Sequence, residues 1–135
     1  SIHIAPRPAA TADDATALEH ALNEFVRANP IQFEPNSAVL DPSALTIIDR
    51  VAARLVEYGG LQIEVGGHTD SDGQPANNQR LSEQRAGVVR QELISRGVDA
   101  DAVTAVGYGS DRPVLVGGLE DKTASRRVEF QISAG

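Results

Sequence analysis

A short alternating segment between two helix-length amphipathic segments constrains the fold of this chain more than any other feature. Leu61, Ile63 and Val65 alternate with polar residues, which is typical of a half-buried β-strand. A helix is predicted before this strand, over 41–60, and a second one after it, over about 77–96. Because strands joined through such helices pair by right-handed crossovers, the order predicts a sheet with helices packed on it.

Four further segments complete the predicted order: a helix over 13–29 and strands over 31–33, 103–107 and 128–132. The fold class predicted is therefore α/β (α+β), a two-layer sandwich with a β-α-β-α-β-β core and a mixed sheet. We expect the helices on one face of the sheet, with an extra helix at the N-terminus. The region between the last two strands is rich in loop-forming residues.

The composition fits one domain. The chain has 135 residues and no cysteine, which excludes disulfides and cysteine metal sites. We expect residues 1–12, with two prolines, to be a linker or the tail of a preceding domain, and 13–135 to be the domain. A net charge of −7 argues against nucleic acid as a partner. Without a long apolar run, we expect membrane contact only through a segment outside this sequence.

Arg85 is the first candidate functional residue. At 100° per residue it falls on the core-facing side of its helix, between Leu81 and Val89. A buried guanidinium needs an anion, which is either a nearby carboxylate in a structural ion pair or a ligand. Asn78 and Ser82 lie on the same side near the helix N-terminus, where anions are favoured. Asn78 is alternatively a capping residue.

The loop predicted over 66–75 supplies the second candidate, Asp70. A calcium loop is disfavoured because glycine comes fourth rather than sixth and Leu81 stands at the twelfth position. A hydrolase triad is disfavoured because the loop lacks a nucleophile elbow, and the three histidines are too scattered for zinc. Asp70 together with Arg85 would offer an acceptor for a cation and a clamp for an anion, which suits a zwitterion.

Several motifs resemble those of the OmpA-like peptidoglycan-binding domain family (the OmpA C-terminal domain and peptidoglycan-associated lipoprotein type). The resemblance runs from Ile31 to Ile132, about three-quarters of the chain. Its motifs are Ile31-Gln32-Phe33 with Asn36-Ser37, Gly67-His68-Thr69-Asp70-x-x-Gly73, Asn78-x-x-Leu81-Ser82-x-x-Arg85-Ala86, Gly107-x-Gly109 and Arg126-Arg127-Val128-Glu129. Their order and spacing together are specific, whereas any one alone is not.

The resemblance implies a periplasmic, non-enzymatic module without cofactor or metal that tethers an outer-membrane or cell-envelope protein to the cell wall. It implies that Asp70 and Arg85 grip the diaminopimelate of peptidoglycan stem peptides. The other matching pocket residues are Asn36, Thr69, Asn78 and Arg126. Because lysine lacks the side-chain carboxylate of diaminopimelate, we expect discrimination against lysine-type stems.

Three expectations remain open at this point. Without ligand, we expect Asp70 and Arg85 to pair with each other, and Arg126 to be a solvated strand end or partly buried. An envelope protein–protein interaction domain is the alternative function, and an exposed apolar patch near Ile94 or in the 114–119 loop would favour it. The N-terminal helix either packs on the sheet edge, which we favour, or mediates a homodimer.

Overall fold

A mixed three-stranded sheet lies at the centre of the computed structural model, which describes residues 6–135. In chain order its elements are α1 (Ala12–Ala28), α2 (Pro42–Leu55), β1 (Leu61–His68), α3 (Pro75–Ser95), β2 (Val103–Gly107), β3 (Leu115–Val116), β4 (Leu119–Glu120), α4 (Lys122–Ser125) and β5 (Arg127–Ala134). The sheet order is β2-β1-β5, with β1 parallel to β2 and antiparallel to β5. The predicted α+β class with a mixed sheet is confirmed.

The core lies between the helices and one face of the sheet. In β1 the alternation Leu61, Ile63, Val65 is buried, as the sequence predicts. α3 packs on β1 and β2, α1 packs on β5, and α2 packs on α3. The largest fully buried side chains include Phe130, Ile48, Leu93, Val51, Val65 and Val89. This core holds β1 and α3 rigidly side by side, and the predicted site lies at their junction.

α1 covers the free edge of β5. The Asn23 side chain donates to the Phe130 carbonyl and accepts from the Phe130 N–H, both over 2.8 Å. Glu19 accepts from the N–H of Ile132 over 2.6 Å. The helix thus satisfies backbone groups that an edge strand leaves open. The expected packing of the N-terminal helix on the sheet edge is what the structure has.

Two glycines let α3 approach the sheet closely. Gly67 of β1 and Gly107 of β2 are register partners. A Cβ on Gly67 would lie 2.3 Å from the Ser82 carbonyl oxygen, and one on Gly107 would lie 2.5 Å from the Glu83 nitrogen. The buried Ser82 hydroxyl also accepts from the Gly109 N–H over 2.9 Å. The N-terminal half of α3 therefore lies directly against the ends of both strands.

The predicted strand over 31–33 is wrong. Only a single bridge forms there, between Phe33 and Leu40. The chain turns sharply between these two residues, and Asp41 then caps α2 by accepting from the Ser43 N–H. The turn on one side and the start of α2 on the other leave no room for a longer β-ladder. Ile31 and Phe33 therefore pack on the core without regular strand pairing.

Several element boundaries also differ from prediction. β1 continues through His68, so the predicted loop over 66–75 begins only at Thr69, because Gly66–His68 pair with β5. α2 ends at Leu55 rather than at the following glycine pair, and α3 begins at Pro75, which occupies the first turn.

The C-terminal part of the segment predicted as a linker, residues 8–10, forms hydrogen bonds with the domain. Gly59 donates to the Pro8 carbonyl, and Ala10 donates to the Gly59 carbonyl, each over 2.9 Å. Thr11 caps α1 in a capping box with Asp14. The domain boundary near residue 12 stays a prediction, and residues 1–5 lie outside the described part.

Across residues 6–135, none of the helices combines the length and apolar character needed to cross a bilayer.

Candidate functional site

A cavity of about 630 Å³ opens where β1 ends and α3 begins. Its walls come from the end of β1 and the loop after it, the N-terminal half of α3, the 30–36 segment, α4 and the start of β5. All six residues singled out in the sequence line it: Asn36, Thr69, Asp70, Asn78, Arg85 and Arg126. Their roles as ligand contacts stay predictions, whereas their convergence on one cavity is a property of the fold.

Asp70 is almost buried and pairs with Arg126. Its Oδ2 accepts from Arg126 Nη1 over 2.5 Å, and its Oδ1 accepts from the Asp72 N–H over 2.9 Å. Burial raises the pKa of Asp70, but the hydrogen bonds from Arg126 and Asp72 outweigh it and lower the pKa below the ordinary value. The expectation that Asp70 pairs with Arg85 is wrong. Arg126, half exposed, is the partner instead.

Arg85 has backbone and aromatic partners. Its Nε donates to the Ser37 carbonyl over 2.8 Å, and its Cζ lies 4.9 Å from the Phe33 ring centroid. Nη2 reaches the Glu34 carbonyl at 3.5 Å. Burial lowers the pKa of the guanidinium. No carboxylate among residues 6–135 forms an ion pair with it, so the expected structural ion pair is wrong, and the charge is met by carbonyl dipoles and the ring.

Asn36 occupies a turn that Arg85 holds against α3. Its φ is +53°, and Pro35 precedes it. Proline followed by a residue of positive φ fits the two central positions of a type II turn, closed here by the Ser37 N–H on the Glu34 carbonyl at 3.3 Å. Asparagine tolerates this backbone better than most residues. The exposed Asn36 side chain is thereby held at the cavity wall.

Thr69 and Asn78 fix the backbone around Asp70. The Thr69 hydroxyl donates to the Asp70 carbonyl over 2.9 Å, and its N–H donates to the Gly109 carbonyl over 2.8 Å. The Asn78 amide donates to the Asp72 carbonyl over 2.8 Å. Asn78 follows the helix start at Pro75 by three residues, so it is not the cap. Both side chains position the loop that carries Asp70.

The segment from β3 to α4 folds back onto this loop, which sequence reasoning missed. Glu120 accepts from the Ser71 N–H over 2.9 Å and from its hydroxyl over 2.5 Å. Lys122 donates to Asp72 over 2.8 Å, and this bond raises the pKa of Lys122. The available signal was Gly117-Gly118, because two glycines between apolar pairs favour a tight hairpin. Both have positive φ, +61° and +79°.

His68 points to the opposite face of the sheet. Its Nε2 lies 3.3 Å from Glu129 Oε1, and its ring stacks on Tyr108 with centroids 5.1 Å apart. The contact with His68, followed by hydrogen bonds from Arg127, holds the pKa of Glu129 at about 2 against the effect of burial. Since the Ser71 hydroxyl donates to Glu120, the histidine, aspartate and serine of this loop do not form a triad.

The cavity therefore offers two complementary charges. Asp70 can accept from an ammonium, and Arg85 can donate to a carboxylate from its Nη1 end, since its hydrogen bonds to the described residues come from Nε and Nη2. Within the described part of the chain, no group of three or more His, Asp or Glu is placed to hold a metal ion. These two charges would suit a small group that carries both an ammonium and a carboxylate.

Comparisons with known proteins agree on the family. The model of the OmpA family matches residues 32–129. Outer membrane porin F of Pseudomonas fluorescens is 38% identical over 105 residues, which are 77% of this chain and 32% of the porin. Peptidoglycan-binding protein ArfA of Mycobacterium tuberculosis is 35% identical over 117 residues, covering 86% of this chain and 36% of ArfA. The chain thus spans about a third of the length of these relatives.

A solved structure supports the same assignment. The periplasmic domain of Helicobacter pylori MotB superposes with a TM-score of 0.68 at 26% identity, covering 78% of this chain and 73% of that one. The region matched by the OmpA family model includes the loop with Asp70 and the helix with Arg85. From its sequence, its fold and the residues around its cavity, the chain belongs to the OmpA family.

Proposed function

We propose that this domain is a non-catalytic module of the cell envelope that binds peptidoglycan through the diaminopimelate of its stem peptides. Asp70 accepts the side-chain ammonium, and Arg85 holds the neighbouring carboxylate. The relative ArfA is named a peptidoglycan-binding protein, which supports peptidoglycan as the ligand of this domain. The porin and the periplasmic domain among the relatives support a location at the outer membrane or in the periplasm.

One observation carries the finer proposal. Arg85 is half-buried in the same cavity as Asp70, yet it has no carboxylate partner among the described residues. A partly desolvated guanidinium without an anion is costly, so a ligand carboxylate there is favoured. Lysine would leave Arg85 without that partner, and a missing charged partner lowers affinity strongly.

An NMR titration of the labelled domain with diaminopimelate and with lysine tests this proposal. We expect saturable shifts at Asp70, Asn78 and Arg85 with diaminopimelate and not with lysine. Arg85→Ala should abolish them, whereas Arg80→Ala, an exposed arginine on the same helix outside the cavity, should not. Equal affinity for the two amino acids, or full binding by a folded Arg85→Ala variant, contradicts the clamp.

A second candidate is an envelope protein-interaction domain, and the β3–β4 hairpin favours it. Leu115, Val116 and Leu119 are 59%, 64% and 76% exposed. Ile94 packs against the core and offers no such patch. Replacing the three hairpin residues by serine should leave diaminopimelate binding intact. Loss of wall attachment in cells despite intact binding in vitro would favour a protein partner.

A further inference from the structure

The two residues that follow Asp70, Ser71 and Asp72, are exposed, yet both are held from the segment between β3 and α4. Glu120 contacts Ser71 at two points: Oε1 accepts from the Ser71 N–H over 2.9 Å, and Oε2 accepts from its hydroxyl over 2.5 Å. Lys122 donates to Asp72 Oδ1 over 2.8 Å. The loop is therefore fixed by residues that lie 49 and 50 positions away in the sequence.

The orientation of the Asp70 carboxylate depends on the peptide group between Ser71 and Asp72. The N–H of this group donates to Asp70 Oδ1 over 2.9 Å. On its C-terminal side, Asn78 of α3 holds the Asp72 carbonyl over 2.8 Å. On its N-terminal side, Glu120 holds the Ser71 N–H. The peptide group that orients Asp70 is thus held from two directions, by α3 and by the end of β4.

Glu120 has anchors of its own. It pairs with Leu115 across the β3–β4 hairpin, and the Asp121 N–H donates to the Val114 carbonyl over 2.8 Å. The Ser125 hydroxyl, which is fully buried, accepts from the Val114 N–H over 2.9 Å. Because the base of the hairpin is tied to α4 in this way, Glu120 has a defined position from which to hold the loop.

The Glu120 contact should contribute more to the loop than the Lys122 contact. Lys122 and Asp72 form a single ion pair whose side chains are 53% and 65% exposed, and exposed pairs contribute little to stability. The carboxylate of Glu120 instead accepts two charge-assisted hydrogen bonds from one residue, an arrangement that is stronger and fixes direction.

We infer that Glu120 is a positioning residue for ligand binding, which holds Ser71 so that the Asp70 carboxylate keeps the orientation that meets a ligand ammonium. This inference rests on the proposed function and extends it to a residue that lies outside the cavity lining. Glu120 acts through the loop and not by contact with the ligand.

Two NMR titrations test the inference, one with diaminopimelate and one that follows the Asp70 carboxyl with pH in the absence of ligand. In Glu120→Ala the affinity for diaminopimelate should fall about three- to tenfold, the range for the loss of charge-assisted hydrogen bonds. Burial raises the pKa of Asp70, whereas the hydrogen bonds from Arg126 and the Asp72 N–H lower it. Weakening of the Asp72 bond in Glu120→Ala should therefore raise this pKa.

The direction of the pKa change separates positioning from a charge effect. Removal of the negative charge of Glu120 alone would lower the pKa of Asp70, because a nearby anion disfavours a second one. Glu120→Gln keeps an acceptor for the Ser71 N–H and should recover part of the affinity. Glu57→Ala removes an exposed carboxylate outside the cavity and should change neither the affinity nor the pKa.

The outcomes also separate the inference from the proposed function. Wild-type affinity in a folded Glu120→Ala variant, or an Asp70 pKa that stays or falls there, overturns the positioning role and leaves the clamp of Asp70 and Arg85 standing. Failure of the wild type to bind diaminopimelate overturns the proposed function, and the positioning role with it. If urea unfolding shows that Glu120→Ala does not fold, Ser71→Ala, which removes only the hydroxyl contact, takes its place and should show both changes at smaller size.

Discussion

Gly67 and Gly107 lie opposite each other on β1 and β2, and α3 crosses both at a distance that admits no side chain. This contact brings the first turns of α3, and with them Asn78, to the loop that carries Asp70. The position of the site therefore depends on two residues that have no side chain to offer a ligand. The two glycines act by letting α3 pack close to the sheet.

Gly107→Ala tests this dependence. The new Cβ would lie 2.5 Å from the Glu83 nitrogen and 2.6 Å from the Ser82 hydroxyl, so α3 must move. We expect a loss of about 1–3 kcal/mol in the free energy of unfolding, typical of overpacking, together with weaker ligand binding. Urea unfolding and the NMR titration measure the two effects.

Gly87→Ala is the matched control on the same helix. An added Cβ there meets nothing within 4 Å. Alanine is the better helix former, so this variant should gain about 0.5–1 kcal/mol in stability and bind as the wild type does. If both alanine variants behaved alike, close packing at the strand ends would not be what places the site.

Acid should remove part of the stability through Glu129. Its pKa is about 2 in the folded protein against 4.5 ordinarily. Because the folded-state value is the lower one, the ionised carboxylate stabilises the fold above pH 4.5, and this contribution is lost as the pH falls towards 2. The shift corresponds to at most about 3 kcal/mol, and partial exposure of the side chain reduces it.

Glu129→Gln should therefore be less stable than the wild type at pH 7 and should have a flatter stability profile between pH 5 and 2. Thermal unfolding across that range measures the profile. Glu57→Gln changes an exposed carboxylate just after the C-terminal end of α2 and should leave the profile as it is. A wild-type slope that persists in Glu129→Gln would assign the acid sensitivity to other groups.

Asn23 should matter for both stability and association. In Asn23→Ala the Phe130 N–H and carbonyl lose their partners at the edge of the sheet. We expect a loss of about 1–3 kcal/mol, the cost of unsatisfied polar groups, and a tendency to associate through the opened edge. Urea unfolding and light scattering measure these effects. Asn23→Asp, which keeps the acceptor and loses the donor, should fall between, and monomeric behaviour at full stability in Asn23→Ala would refute the edge role.

Local periodicity was enough to place the two main candidates. The helical angle put Arg85 on the core side of α3, and strand alternation put Asp70 just beyond the end of β1, where the structure has them. Each inference depends only on neighbouring residues, either within one or two turns of a helix or within a single strand. The order of the predicted helices and strands had already indicated the α+β class with a mixed sheet, which the comparison with the MotB domain supports.

The partners of these residues were not predictable in the same way. Arg126 reaches Asp70 across 56 positions of sequence, and its path depends on the hairpin between them. Arg85 binds carbonyls of the turn at Asn36, and no side-chain pattern reports where a carbonyl points. Charge complementarity indicated that Arg85 needs an anion. It did not indicate that carbonyl groups and the Phe33 ring would contact the guanidinium in place of an anion.

The role of the Asn36 side chain can be separated from the role of its backbone. Asn36→Gly keeps a residue that accepts the φ of +53° and removes the amide, so stability should change by only a few tenths of a kcal/mol. Affinity for diaminopimelate should fall severalfold if the amide contacts the ligand, as the family resemblance implies. Asn36→Val keeps neither feature and should lose about 1–3 kcal/mol through backbone strain. Titration and urea unfolding of both variants measure the two roles, and unchanged affinity in Asn36→Gly would limit Asn36 to holding the turn on which Arg85 rests.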